Sequence, residues 1–263
     1  MKKTFLVIII LSVQYCANAQ KTVLYTTLNA HSHNDYANEV PFWLAYNNHF
    51  GSIEADIWAV DGELVVAHNN SDIKPERTLD ILYIQPIVKL FKENKGKPWK
   101  DNSSTFQLLI DLKTTVEPTL SLLVAKLRQY PDVFDPKVNE NAVRIVITGN
   151  RPVPSEFDKY PGFIFFDGIL NQKYNTQQLM RVPLYSENLK KFTLWPGDGE
   201  IIEKDKIHLQ SIIDSVHILN KKIRFWNAPD DVNAWGILIK MKSDYINTDH
   251  IVKLAEYLNN PGK

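Results

Sequence analysis

Five polar side chains stand at the ends of apolar stretches: His31, Glu54, Asp56, His68 and Asp111. Glu54 and Asp56 sit two residues apart in Ser52-Ile53-Glu54-Ala55-Asp56-Ile57, so on a strand they share one face. That face would otherwise be interior, where an unpaired carboxylate is costly, and two like charges so close need a cation between them. Hard oxygen ligands without a thiolate point to one divalent ion, Mg²⁺ or Ca²⁺. Asp111, in Leu109-Ile110-Asp111-Leu112-Lys113, offers a third carboxylate, and Lys113 on the same face can reach an anionic ligand. His31 ends the first apolar segment, and His68 follows Leu64-Val65-Val66-Ala67. Two imidazoles beside a cation and a lysine form an acid/base pair suited to phosphoryl transfer. Singly, each residue has an ordinary reading as a structural histidine or an ion pair; together, at consecutive strand ends, they form a constellation.

The elements that would position them alternate. Thr22 to Ala30, Gly51 to Trp58, Phe106 to Leu112, Val143 to Thr148, Gly162 to Phe166, Lys222 to Trp226 and Tyr245 to Asn247 read as strands. Glu63 to Ala67 adds another after the Asp61-Gly62 turn signal. Helical spacing is predicted over Val40 to Asn48, Thr78 to Glu93, Val116 to Gln129, Lys204 to Asn220, Asp231 to Lys240 and His250 to Leu258. Lys95 to Ser104 looks like a loop, and Asp167 to Gly199, rich in Asn, Gln and Pro, yields no clear assignment. Buried strands alternating with helices predict a parallel sheet closed into a barrel, whose C-terminal mouth is where such polar residues do chemistry.

Lys2 and Lys3, the apolar run Thr4 to Val13 and the small-x-small Ala17-Asn18-Ala19 predict a secretory signal peptide over residues 1–19, and hence a periplasmic or secreted protein. Residues 20–263 are then a single domain, long enough for one large core. The single cysteine, Cys16, falls in the leader, so no disulfide supports the fold. Lysines and arginines balance acids at 30 each; removing Lys2 and Lys3 leaves 28 − 30 = −2. No basic stripe points to a nucleic-acid partner, and no later segment is apolar for long enough to span a bilayer.

The pattern Ala30-His31, Glu54-x-Asp56, Asp61-Gly62-Glu63-Leu64-Val65-Val66-Ala67-His68, Asp111-x-Lys113, Trp226-Asn227 and Asn247-Thr248-Asp249 resembles the phosphodiesterase barrel superfamily. That superfamily holds glycerophosphodiester phosphodiesterases, phosphatidylinositol-specific phospholipases C and sphingomyelinase D. His-Ser-His-Asn-Asp-Tyr, residues 31–36, is most similar to its altered-inheritance-of-mitochondria branch. The resemblance implies a (β/α)8 TIM barrel and a phosphoric diester hydrolase acting on a phospholipid or related phosphodiester. It implies Glu54, Asp56 and Asp111 as metal ligands and His31 and His68 as the acid/base pair. It further implies Lys113 steadying the phosphate, Asn34 near the leaving group or metal, and Trp226 lining the pocket. The chain carries His31-Ser32-His33 where glycerophosphodiesterases have His-Arg-Gly, and His68-Asn69 where they have His-Asp. The implied substrate is therefore a phosphodiester class rather than glycerophosphodiesters in particular.

Two other readings compete. His31-x-His33 also resembles the zinc motif of amidohydrolases and histidinol-phosphatase-type hydrolases, which needs further histidines such as His208, His217 or His250 to join it. A barrel that only binds a ligand would use Trp43, Trp58, Trp195, Trp226 and Trp235 as stacking surfaces.

Overall fold

The structure, a computed structural model, describes residues 24–100 and 106–260; the expected leader lies outside the described residues. Among the described residues nine strands follow in chain order: Ala30–Ser32 (β1), Ser52–Val60 (β2), Glu63–Val66 (β3), Gln107–Leu112 (β4), Arg144–Gly149 (β5), Ile164–Gly168 (β6), Leu184–Asn188 (β7), Lys222–Trp226 (β8) and Ile246–Thr248 (β9). All but β3 are parallel and run in the order β8-β7-β6-β5-β4-β2-β1-β9. A parallel bridge from Arg224 of β8 to Tyr245, just before β9, brings the two ends of that path together. The eight strands thus form the (β/α)8 barrel that the alternation of elements predicts, and β3 is an antiparallel hairpin on β2 outside the ring. The helices are Trp43–Asn47 (α1), Gln85–Glu93 (α2), Val116–Leu127 (α3), Pro131–Phe134 (α4), Thr176–Met180 (α5), Glu203–Ile218 (α6), Val232–Lys240 (α7) and Ile251–Asn259 (α8).

Strand alternation divides the side chains. Ile53, Ala55 and Ile57 of β2 join the main core with the helices, each fully buried. Leu109, Val146, Leu184 and Tyr245 form a separate small apolar cluster, with Phe165 packed against it. They come from strands spread around the ring, so they meet in the barrel interior and make its floor. Two residues further along the same strands come Asp111, Asp167, Thr148 and Ser186, on the same faces but one layer nearer the mouth. The apolar layer seals the bottom, and the polar layer above it is the site.

Two segments differ from the sequence expectation. The stretch predicted as a strand from Thr22 to Ala30 holds a 3-10 turn over Thr27–Asn29, with β1 only from Ala30. Its N-cap Thr26 accepts from Leu28 N, and the Asn29 side chain reaches back to Thr26 N, which competes with an extended backbone. The unassigned segment Asp167 to Gly199 contains α5 and the barrel strand β7.

Candidate active site

The residues of the His-Ser-His-Asn-Asp-Tyr run have separate tasks. Asp35, fully buried, accepts from Ser32 Oγ at 2.8 Å, Phe42 N at 2.5 Å and Tyr83 OH at 2.9 Å. It ties the loop after β1 to the start of α1, where Phe42 holds φ 64°. Asn34 takes φ 45°, a left-handed conformation that asparagine tolerates better than most residues. That bend puts His33 and Asn34 on the cleft wall. Tyr36 donates to Asp56 Oδ2 at 2.6 Å and lies 3.1 Å from His68 Nδ1. Burial and the Asp56 charge push its phenol far up, so it remains a donor.

His31 is not one of the cleft's imidazoles, which corrects the expectation that it faces the substrate. It is fully buried below the cleft, because it lies within β1 while His33 lies past the strand's end. Its Nδ1 meets Ser52 Oγ at 2.7 Å, and its Nε2 meets Glu54 Oε2 at 2.9 Å and Arg224. Burial, then the Arg224 charge, lower its pKa to about 3, so it is neutral at ordinary pH. His33 and His68 do line the cleft. His33 Nδ1 lies 2.8 Å from Asp249 Oδ1, and His68 Nδ1 lies 3.0 Å from Asp56 Oδ2. In each case a carboxylate orients the ring and neither Nε2 has a protein partner among the described residues. Burial opposes protonation of His33, but the Asp249 hydrogen bond and the Glu54 charge outweigh it and raise its pKa.

The acids meet because β2 and β4 run in register: Asp56 pairs with Asp111, and Glu54 lies two residues earlier. Oxygens of Glu54, Asp56 and Asp111 all lie within 4.8 Å of one another. Close approach of β5 makes this possible, since a Cβ on Gly149, at φ 68°, would fall 1.9 Å from Asp111 Oδ1. Lys113 Nζ bridges Asp56 Oδ2 and Asp111 Oδ2 at 2.9 Å each. Burial disfavours the ammonium, but those two carboxylates outweigh it and raise its pKa, so Lys113 stays charged. Burial raises the pKa of Asp111 despite Lys113. For Glu54, burial is outweighed by Arg224, 2.5 Å from Oε2, and the carboxyl is held well below its usual range. The donor set fits a hard divalent cation. All three ligands offer carboxylate oxygen, and Asp56 Oδ1 is buried without a hydrogen-bond partner.

The opposite wall of the roughly 480 Å³ cleft is new relative to the sequence expectation. Arg151, Asp167, Glu187, Lys191 and Arg224 line it together with Trp226. Arg224, 3% exposed, also reaches Asn247 Oδ1 and Ser186 Oγ. Asp167 accepts from Thr148 Oγ1 and Ser186 N, and burial, only partly offset by Arg151 and Arg224, raises its pKa to about 6. Arg224 and Arg151 place guanidinium groups in a cleft whose first motif lacks an arginine. A signal was present in the sequence: a charged residue in the middle of the apolar strand Lys-Ile-Arg-Phe-Trp.

The site expectations for Glu54, Asp56, Asp111, His68, Lys113, Asn34 and Trp226 all fall on one cleft. The zinc alternative loses its geometry. Among the described residues the convergent ligand group contains no histidine. His217 is engaged by Asp244 at 2.8 Å, and His208 packs against Phe192, both on α6. Among the tryptophans, Trp235 is core, Trp58 donates to Ala67 O, and only Trp226 lines the cleft.

Known proteins share the sequence and the fold. The chain is 26% identical to altered inheritance of mitochondria protein 6 of Kluyveromyces lactis, over 87% of this chain and 72% of the relative. It is 27% identical to the homolog of that protein from Arthroderma benhamiae, over 80% of this chain and 74% of the relative. The crystal structure of a glycerophosphodiester phosphodiesterase from Parabacteroides distasonis shares the fold, with a TM-score of 0.54 at 16% identity. That likeness covers 89% of this chain and 98% of the other. The model of the AIM6-like phosphodiesterase domain matches residues 20–167, which span β1 to β6 and hence all three acids, His33, His68 and Lys113. The chain belongs to the AIM6-like phosphodiesterase domain family, and its reaction class is phosphodiester hydrolysis.

Proposed function

We propose that this chain is an exported, divalent-cation-dependent phosphodiesterase in which His33 and His68 are the acid/base pair, acting on a phospholipid or related phosphodiester. The observation that carries this reading is a single cleft holding both imidazoles, Lys113 and the three convergent carboxylates. Glu54, Asp56 and Asp111 would hold the cation, which when bound would polarise a phosphoryl oxygen as a Lewis acid. One imidazole takes the proton of the attacking water or substrate hydroxyl, and the other gives a proton to the departing alkoxide. Each ring is held by a carboxylate on Nδ1, which leaves Nε2 as the working atom. Lys113 bears part of the charge on the phosphoryl oxygens. His31 acts through others: neutral and fixed by Ser52, it packs against the Glu54–Arg224 pair.

Purified chain is expected to release the alcohol from a chromogenic phosphodiester with Mg²⁺ or Ca²⁺ and to stop when EDTA is added. Full activity in EDTA, or in Glu54→Ala and Asp56→Ala variants, rejects the cation. Product analysis separates the nucleophiles, since a cyclic phosphate marks a substrate hydroxyl and a linear one marks water. The basic, apolar and Ala-x-Ala pattern of residues 1–19 supports export. The expected observation is a mature protein starting at Gln20 outside the cytoplasm, and an intact N-terminus in the cytoplasm argues against it.

A further inference from the structure

A second, larger cavity of about 910 Å³ adjoins the cleft, and Arg151 lines both. It runs along the outer face of α3, where Ser121 and Ala125 keep the groove open beside Val124 and Arg128. The facing wall is Glu156, Lys159, Tyr160 and Pro161, from the segment between β5 and β6. Its inner end, at Thr115, Asn150 and Arg151, starts where β4 and β5 leave the barrel mouth.

The charges of this groove are unevenly spent. Glu156 is held by Lys159 at 2.6 Å, and Glu117 accepts from Tyr160 OH at 3.1 Å. Arg151 directs one N–H to Thr148 Oγ1 at 3.1 Å and stands 3.8 Å from Asp167, so most of its five donors remain. Among the described residues no carboxylate pairs with Arg128, at the far end of the groove. A trough with a guanidinium at each end and both of its acids engaged suits a ligand that carries an anion at its far end.

We propose that the groove is a second subsite for a phosphodiester whose alcohol extends along α3 and carries a further phosphate group, held by Arg128. This rests on the catalytic reading above and names the kind of substrate that site takes. Pro118 to Arg128, past the non-helical Glu117, spans about 15 Å at 1.5 Å per helical residue, so the two phosphates are separated by a spacer of at least roughly that length.

The test is calorimetry on the purified chain at one fixed Mg²⁺ concentration, comparing 1,10-decanediol bisphosphate with decyl phosphate. The monophosphate controls for apolar contact. The bisphosphate is expected to bind about tenfold more tightly, and Arg128→Gln is expected to bring the ratio close to one. Lys159→Gln, which lies on the exposed rim, serves as a second variant if Arg128→Gln folds poorly, and should reduce the ratio less. Equal affinities in the wild type, or a ratio that survives Arg128→Gln, overturn the subsite alone. Preference for the bisphosphate without turnover of a chromogenic diester faults the catalytic reading and keeps the subsite; binding of neither compound overturns both.

Discussion

Gly149→Ala tests whether the three acids depend on one close approach of strands. Two separate penalties meet at this position. The first is backbone strain: φ is 68°, and an L-residue in that region is disfavoured by about 1–2 kcal/mol. The second is displacement. The new Cβ would lie 1.9 Å from Asp111 Oδ1, against a lower limit of 3.0 Å for real contacts, so the carboxylate must retreat by at least 3.0 − 1.9 = 1.1 Å. A misplacement of ~1 Å in a catalytic constellation lowers the rate by about 10²-fold. Gly62→Ala is the matched control: its φ is 83°, but a Cβ there meets nothing within 4 Å. Gly62→Ala should lose about 1–2 kcal/mol in urea unfolding, a shift of ~2–8 °C in Tm, and Gly149→Ala more, because its Cβ also falls 2.7 Å from Leu112 O. Only Gly149→Ala should lose about 10²-fold in kcat/KM on a chromogenic diester and bind Mg²⁺ or Ca²⁺ more weakly by calorimetry. Equal activities in the two variants would show that Asp111 has room to move or no part in the site, and the cation assignment would fall with it.

The imidazole roles separate by variant. His33→Ala and His68→Ala should each lower kcat by about 10²–10⁴ with Tm nearly unchanged. His31→Ala should instead lower stability by about 2–3 kcal/mol, because it empties a buried site and frees Ser52 Oγ. Inactivity of His31→Ala at wild-type stability, with an active His33→Ala, would return the chemistry to His31. Asp35→Asn places its amide either against Ser32 Oγ or against both Phe42 N and Tyr83 OH, which share Oδ2, and should destabilise by about 1–3 kcal/mol per donor left unpaired, measured by urea unfolding. Asp167 gives a pH signature. Its folded pKa, about 6, lies above the ordinary carboxyl value of 3.8, so its contribution to stability is full below pH 3.8 and lost as pH rises through about 6. The difference is about two pK units, roughly 3 kcal/mol as an order of magnitude. Urea unfolding of Asp167→Asn against wild type should move in the variant's favour over that window; a pH-independent difference rejects the burial of a titrating carboxyl.

Strands with apolar flanks were legible because burial on both faces leaves a continuous hydrophobic run, and polar residues within it stand out as deliberate. Glu54-x-Asp56 and Asp111-x-Lys113 stand out in that way. Leu184–Asn188 did not, since three of its five residues are polar: Ser186 and Glu187 line the cleft, and Asn188 caps the turn that follows. The same polarity left the surrounding segment without an assignment, and with it Asp167, Glu187 and Lys191 of the second wall went unseen. The choice between His31 and His33 turned on where β1 ends. Strand alternation gives residues two apart one face, so spacing cannot say which of them lies below the rim and which above. Arg224 is marked locally as a charge within an apolar strand, but nothing local names its partner, Glu54, which lies 170 positions away.

β3 stands outside the ring, and His68 leaves it beside Asp56, after Ala67 N has bonded Asp56 O. One of the two imidazoles proposed for acid/base work is thus carried by a ribbon folded back on β2, while the three carboxylates proposed to hold the cation belong to barrel strands. The tip of that ribbon, Asp61-Gly62, is exposed and lies about 16 Å beyond Asp56 at ~3.3 Å per residue. An enzymologist could splice a short fluorescent tag into this tip and follow the ribbon's motion during turnover, with the barrel serving as the rigid reference frame.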